Sequence, residues 1–367
     1  MNKGLTSFRA LAFLSIFLFH TGYLEAGYLG VTGFFVLSGF LLTPILIDMR
    51  ASLSKVDFFV HFYGRRCLRI FPLYYSYIVI VSIASLLLIS YYGQSKLPIP
   101  IGRFLEQLPW SLTYTYDFFH ASSQFRGTMF ATHFWSLAVE EQFYLIWPLA
   151  IYLIPPKHIK RFLLIVILAG PIIRFVLATI LDMHIFPLHI RNDLAIYVLP
   201  FSHIDAFAMG GYFGLYGKSR TEYLVWLSII IVIVVGVLTS WLSTNQVQWD
   251  GLGYARYMKD SYKYIWGYSI LNMIFAYVLV HVRDRAFMPT LFENRILVYL
   301  GTISYGLYVI HFPMLWVTRS TMHSSPILQS STSLILTIMI SMASYELMEK
   351  RLINLKDRYF AKNSIVN

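Results

Sequence analysis

The sequence predicts an all-α fold, a polytopic bundle of about ten membrane-spanning helices. Three observations carry that reading. Apolar residues make up 57% of the 367 and charged residues 13%, whereas a soluble domain carries about 25% charge. A globule in water leaves much of its surface exposed and cannot hide this much apolar area, so lipid takes the place of water. The second observation is run length. A helix crosses the hydrocarbon core in roughly 20 apolar residues, and suitable runs fall at 5–23, 28–47, 70–92, 137–154, 162–181, 194–216, 223–242, 264–282, 296–317 and 327–348. The third is where the basic residues stand. With ten spans and a cytoplasmic start, 20 Lys and Arg fall inside and 8 outside, leaving Arg174 within a span. That asymmetry places both termini in the cytoplasm.

The same distribution disposes of nucleic acid as a partner: the net charge of +11 orients a membrane protein rather than forming one basic face. Anionic membrane lipid is the natural partner of the juxtamembrane cations. The single Cys67 permits no intramolecular disulfide. Lys3 and Arg9 precede an apolar stretch, as in a signal peptide, but Tyr23-Leu24-Glu25-Ala26 is a poor cleavage site, so the first helix is read as retained. No internal repeat or linker interrupts the chain. Residues 1–352 form one membrane domain and 353–367 a short cytoplasmic tail.

Three hydrophilic stretches separate the spans. Residues 49–69 are basic and cytoplasmic; residues 93–133 and 243–263 face outward and are rich in aromatics, which suit either sugar stacking or the interfacial belt. Ser54-Lys55-Val56-Asp57 has the form of a capping box. It predicts a short interfacial helix that leads Arg65, Arg66 and Arg69 into the third span, with Pro72 in that span's first turn.

Ionisable residues inside a membrane are costly and are candidates for function. Arg9 and His20 are eleven residues apart on one helix. Eleven steps of about 100° return to within roughly 20° of one face, with a rise of about 16 Å. Arg9 then lies near the cytoplasmic interface and His20 nearer the bilayer centre, where an imidazole serves as a base or simply packs in hydrogen-bonded contact. Arg65, Arg66 and Arg69 present forks suited to phosphates, or they only fix topology. In Ser136-Leu137-Ala138-Val139-Glu140-Glu141-Gln142-Phe143-Tyr144, the residues Ser136, Glu140 and Tyr144 share a helical face while Glu141 points some 100° away; the bland alternative is acidic bias at a helix N-terminus. His203 and Asp205 lie within a turn of each other ahead of Gly210-Gly211, as a site or as a polar packing contact. Metal-ligand spacing, a P-loop, a dinucleotide fingerprint and a nucleophile elbow are not found.

Taken together, these stretches resemble acyltransferase family 3, membrane enzymes that O-acetylate bacterial surface polysaccharides. Arg9 and His20 look like the family's first-helix pair. Gly33 to Phe40, with Ser38, matches its second-helix motif, Arg65 to Tyr75 its basic segment, and Phe134 to Tyr144 its motif containing Trp135, Ser136, Glu140 and Glu141. Gly301 to Tyr308, with Tyr305 and then His311 and Pro313, also fits, as does Ser344-Tyr345-Glu346 with Glu349. Any one motif is weak; six in register cover nearly the whole chain. One departure stands out, since the resemblance leads one to expect arginine where His203 stands.

The resemblance implies an acyl-coenzyme A donor, most often acetyl-CoA, and a hydroxyl of an envelope or exported glycan, or of a lipid-linked saccharide, as acceptor. The expected location is the inner membrane, and with no metal-ligand spacing in the sequence no metal is expected. The resemblance assigns catalysis to His20, Arg9 and Glu140 and donor binding to Arg65, Arg66 and Arg69. Ser38, Trp135, Ser136, Glu141, Tyr144, His203, Asp205, Tyr305 and His311 become substrate or supporting residues. His20 would deprotonate the acceptor or carry the acyl group itself. With no soluble esterase-like domain following the last span in this sequence, transfer is expected to finish within the membrane domain. The rival reading is a transporter of a lipid-linked sugar or acyl group, for which inverted repeats and matching broken helices would speak.

Overall fold

A computed structural model describes residues 2–93, 99–182, 192–247, 249–258 and 260–360; Lys96, Arg191, Lys259 and Lys362 of the charge tally lie outside them. Among the described residues every regular element is helical. The long helices are α1 (Lys3–His20), α2 (Leu29–Ser52), α3 (Lys55–Tyr92), α4 (Phe134–Leu153), α5 (Ile159–Asp182), α6 (Ile204–Tyr216), α7 (Glu222–Thr244) and α8 (Lys263–Arg283). After them come α9 (Arg295–Thr302), α10 (Ser304–Thr321), α11 (Pro326–Ser344) and α12 (Lys350–Tyr359). Short helices at Ile99–Glu106, Leu108–Leu112 and Tyr116–Ala121 occupy much of the stretch between α3 and α4.

Among the described residues six helices suit a membrane crossing by length and composition: α2, α3, α5, α7, α8 and α11. A seventh is counted if α9 and α10 form one span. The shortfall from ten has visible causes. α1 carries Lys3, Arg9 and His20, α4 carries Glu140, Glu141 and Gln142, and α6 is only 13 residues long. The outward faces suit lipid as the solvent. Ile80, Ile83, Leu86 and Leu87 on α3 and Ile165, Leu168, Ile172 and Phe175 on α5 are all more than half exposed, an arrangement that water would penalise by about 25 cal/mol per Å².

Two departures from expectation have local explanations. The expected span at 194–216 is interrupted: a helix over Asn192–Val198 gives way to a 3-10 turn at Pro200–His203 before α6 begins. Proline disfavours helical backbone in the residue before it, and Leu199 is extended, with ψ 142°. Conversely, the basic segment and the third span form one continuous helix, α3. Ser54 caps it as expected, its hydroxyl accepting from the Asp57 amide at 3.2 Å. Pro72 is therefore interior to α3, where the neighbouring protein can absorb a missing N–H.

The chain divides into two compact units, residues 1–48, 121–124 and 139–302, and residues 49–120, 125–138 and 303–367. In the first, α2 and α6 approach closely enough that a Cβ on Gly39 would lie 1.9 Å from the Phe207 carbonyl oxygen, and one on Gly210 would lie 2.0 Å from that of Val36. Only glycine permits that separation, the small-residue contact on which membrane helices rely where no water drives them together. In the second unit α11 packs along α10, and α12 returns to α3, where Arg65 Nη1 donates to the Phe360 carbonyl at 2.7 Å. The stretch expected as a tail from 353 is thus helical to Tyr359.

Candidate functional site

In the first unit, the α2–α6 contact fixes the register of α2 and with it Ser38. The Ser38 hydroxyl and the Tyr144 hydroxyl both donate to Oε1 of Glu140, and the two hydroxyl oxygens are 3.3 Å apart. Glu140 and Tyr144 are one helical turn apart on α4, which is how one carboxylate oxygen meets the phenol. Of the adjacent pair, Glu140 is the carboxylate that meets α2; Glu141 stands about 100° around the helix. Both donors converge on one oxygen, so Oε2 receives neither. Glu140 and Ser38 are half-buried, and the three groups together make a carboxylate held in one orientation with one edge turned away from its anchors.

His20 is the last residue of α1, closing the helix rather than lying inside a longer one, and Arg9 stands half-buried three turns back. The His20 ring lies 5.1 Å from that of Phe19, edge to face. Asp205 is fully buried and forms a bidentate pair with Arg174 of α5, both contacts 2.9 Å. Arg174 completes its set with the Ile265 carbonyl at 3.0 Å, the Ser202 carbonyl at 2.6 Å and the Ser269 hydroxyl at 2.6 Å. All five guanidinium N–H groups are thereby used. Asp205 is thus held by a cation from α5, while His203 stands where the resemblance leads one to expect arginine. His203 packs against Phe35 at 4.9 Å, with its Nε2 2.8 Å from the Tyr197 carbonyl. Arg174 was not among the expected site residues, although a charge within the apolar helix α5 signals a buried partner.

In the second unit, Ser136 bonds to the Tyr308 hydroxyl, and its own hydroxyl donates to the His133 carbonyl at 3.1 Å. His133 Nε2 lies 3.1 Å from the Val309 carbonyl, and its ring is 5.3 Å from that of His311. His311 Nδ1 is 2.6 Å from the Tyr308 carbonyl. Trp135 is buried, edge-on to His120 at 6.4 Å. His133 and Tyr308, which are not among the expected site residues, link Ser136 to His311. The three α3 arginines each have a different described contact. Besides the Phe360 contact of Arg65, Arg66 lies over Phe62 at 5.8 Å, and the charge of Arg69 acts on buried Glu349. Tyr305 donates to the Ile70 carbonyl at 3.3 Å, one residue beyond Arg69. No group of His, Cys, Asp and Glu suited to a metal ion occurs among the described residues.

A helical membrane protein with a hydroxyl-anchored glutamate and buried polar networks is the class that fold and site define. Residues 2–346 match the family model described as an acyltransferase domain, and the chain belongs to that family. It is similar to O-acetyltransferase OatA of Staphylococcus aureus strain NCTC 8325 / PS 47, 27% identical over 368 residues, covering 94% of this chain and 56% of the relative. It is also similar to peptidoglycan O-acetyltransferase OatA of Listeria monocytogenes serovar 1/2a, 29% identical over 336 residues, covering 84% of this chain and 49% of the relative. The chain thus spans about half the length of these relatives. No solved structure matches it.

Proposed function

We propose that this protein is a membrane-embedded O-acyltransferase that moves an acyl group, acetyl in the first instance, from cytoplasmic acyl-CoA to a hydroxyl of an envelope or exported glycan. The observation that carries the reading is the Ser38–Glu140–Tyr144 arrangement. A carboxylate within a membrane helix is costly, and here two hydroxyls hold that of Glu140 in place. The family match and the O-acetyltransferase names of the relatives support the reaction class.

In this proposal ten helices cross the inner membrane with both termini inside, an arrangement supported by the 20-to-8 division of Lys and Arg. Coenzyme A docks its phosphates on the cytoplasmic side at Arg65, Arg66 and Arg69. Arg9 guides the pantetheine arm along α1, and His20 acts as the base. The acceptor O–H gives its proton to His20, its oxygen attacks the thioester carbonyl carbon, and the carbon–sulfur bond breaks to release the coenzyme A thiolate. Glu140 orients an acceptor hydroxyl through Oε2. The test is to supply acetyl-labelled acetyl-CoA to membranes containing the protein or its Glu140→Gln variant. The proposal expects acetyl to reach glycan in wild type and to fall at least about 100-fold in the variant; wild-type membranes that leave acetyl-CoA intact would point to a transporter or another donor.

A further inference from the structure

The loop between α7 and α8 is held by a fully buried lysine. Lys263 Nζ donates to the carbonyls of Gly236 at 2.9 Å and Gly253 at 2.6 Å, pairs with Asp260 at 2.7 Å and meets the Ser240 hydroxyl. Gly253 has φ +80°, and a Cβ there would lie 2.3 Å from the α7 backbone, so the loop is pressed onto α7 at a point that only glycine allows. Tyr28 donates to the Tyr254 carbonyl at 3.1 Å, and Tyr268 donates to that of Arg256 at 2.9 Å. The backbone on both sides of Ala255 is therefore fixed from the body of the first unit.

What this frame presents is a half-buried guanidinium inside an aromatic collar. The Arg256 carbon lies 4.4 Å from the Tyr257 ring centroid, 5.6 Å from that of Phe19 and 5.9 Å from that of Tyr197. Among the described residues its charge meets no carboxylate, and its hydrogen bond goes to the Tyr257 hydroxyl. The other buried cations of this unit, Arg174 and Lys263, are both paired with aspartate. Rings brace an arginine through cation–π attraction without neutralising it, leaving a planar fork for a carboxylate or phosphate. Phe19 joins this collar to the candidate base, since its ring also meets the ring of His20.

We propose that Arg256 selects an anionic saccharide as acceptor, holding a carboxylate or phosphate of the sugar while a nearby hydroxyl reaches His20. The proposal rests on the acyl-transfer reading. α1 is about 27 Å long, close to the thickness of a hydrocarbon core, and Arg256 stands at its His20 end, away from Lys3. In the proposed topology that is the outer end, where an exported glycan arrives and the coenzyme A head does not.

The test uses the full chain in nanodiscs of zwitterionic phosphatidylcholine, which removes competing anionic lipid. Equilibrium binding is measured for neutral chitotetraose and for acidic oligosaccharides built from galacturonate, from glucuronate with N-acetylglucosamine, and from muramate. Wild type should bind at least one acidic probe about 10-fold more tightly than the neutral one. Arg256→Gln should abolish that difference, and Arg256→Lys, which keeps charge without the fork, should restore part of it. In transfer assays the loss should appear in KM for the acidic acceptor and not in KM for acetyl-CoA. Three results would overturn the proposal: no acidic preference in wild type, equal weakening of acidic and neutral probes in both variants, or loss of acetyl-CoA affinity. Failure of the acyl-transfer reading is distinct, because wild type would then bind the acidic probe yet release no acetyl from acetyl-CoA.

Discussion

Asp205→Asn should cost this protein far more in stability than a surface change, and the size follows from the Arg174 contacts. Both side chains are 0% exposed, and two contacts of 2.9 Å join them. Asparagine keeps one acceptor oxygen and turns an N–H₂ toward a guanidinium that already has only donors. One charge-assisted bond, worth about 1.5–3 kcal/mol, is lost outright, and the arginine is left buried without a counter-charge. Breaking a buried pair in this way costs about 3–5 kcal/mol, or roughly two to three and a half powers of ten in the folded-to-unfolded ratio. The assay is unfolding in mixed micelles of rising SDS fraction, followed for wild type, Asp205→Asn, Arg174→Met and the double variant Arg174→Met with Asp205→Leu. The single variants should unfold early, and the double should recover much of the loss because no lone charge remains. An Asp205→Asn protein as stable as wild type yet inactive would refute the structural assignment and return Asp205 to the substrate.

Three further outcomes are expected. Tyr144→Phe and Ser38→Ala each remove one donor from Glu140 and should each lower transfer about 10-fold, with Glu140→Gln lower still, read as kcat in nanodiscs with protein level held equal. Replacing Arg65, Arg66 and Arg69 together with lysine preserves charge but not the fork; acetyl-CoA affinity should fall about 10- to 100-fold and weaken further with salt, whereas unchanged binding would leave these arginines a topological role. Cysteines introduced at Ser122 and Ser243 should react with an impermeant thiol reagent on intact cells and one at Ser54 should not; the opposite pattern overturns both the orientation and the side from which the donor enters.

How far the fold could be read in advance depended on the range of the interaction concerned. Runs such as 223–242 and 264–282 returned as α7 and α8 within a few residues, because lipid imposes a length and an apolarity that the sequence alone displays. The Ser54 cap was legible for the same reason, being settled within four residues. Continuity was harder. Arg65 to Arg69 run on into the third span as one helix, and Arg65 meets Phe360, 295 positions away, neither of which periodicity reveals. The site split in the same way. The pairing of Glu140 with Tyr144 follows from a four-residue spacing, whereas the Ser38–Glu140 and Arg174–Asp205 contacts join residues 102 and 31 positions apart. Ser136 lies one turn before Glu140 on α4, and its bond to Tyr308 joins residues 172 positions apart, a partner that spacing does not reveal.

The central claim is that this membrane domain carries acyl-transfer chemistry at His20. The measurement that addresses it most directly is transfer of labelled acetyl from acetyl-CoA to glycan by purified protein in nanodiscs, comparing wild type with His20→Ala and His20→Gln at equal folded amounts. His20 closes α1 with its ring against Phe19, so either substitution should leave insertion and stability close to wild type. Transfer should drop at least about 100-fold in both variants while acetyl-CoA still binds. Full transfer by a correctly folded His20→Ala protein would contradict the account.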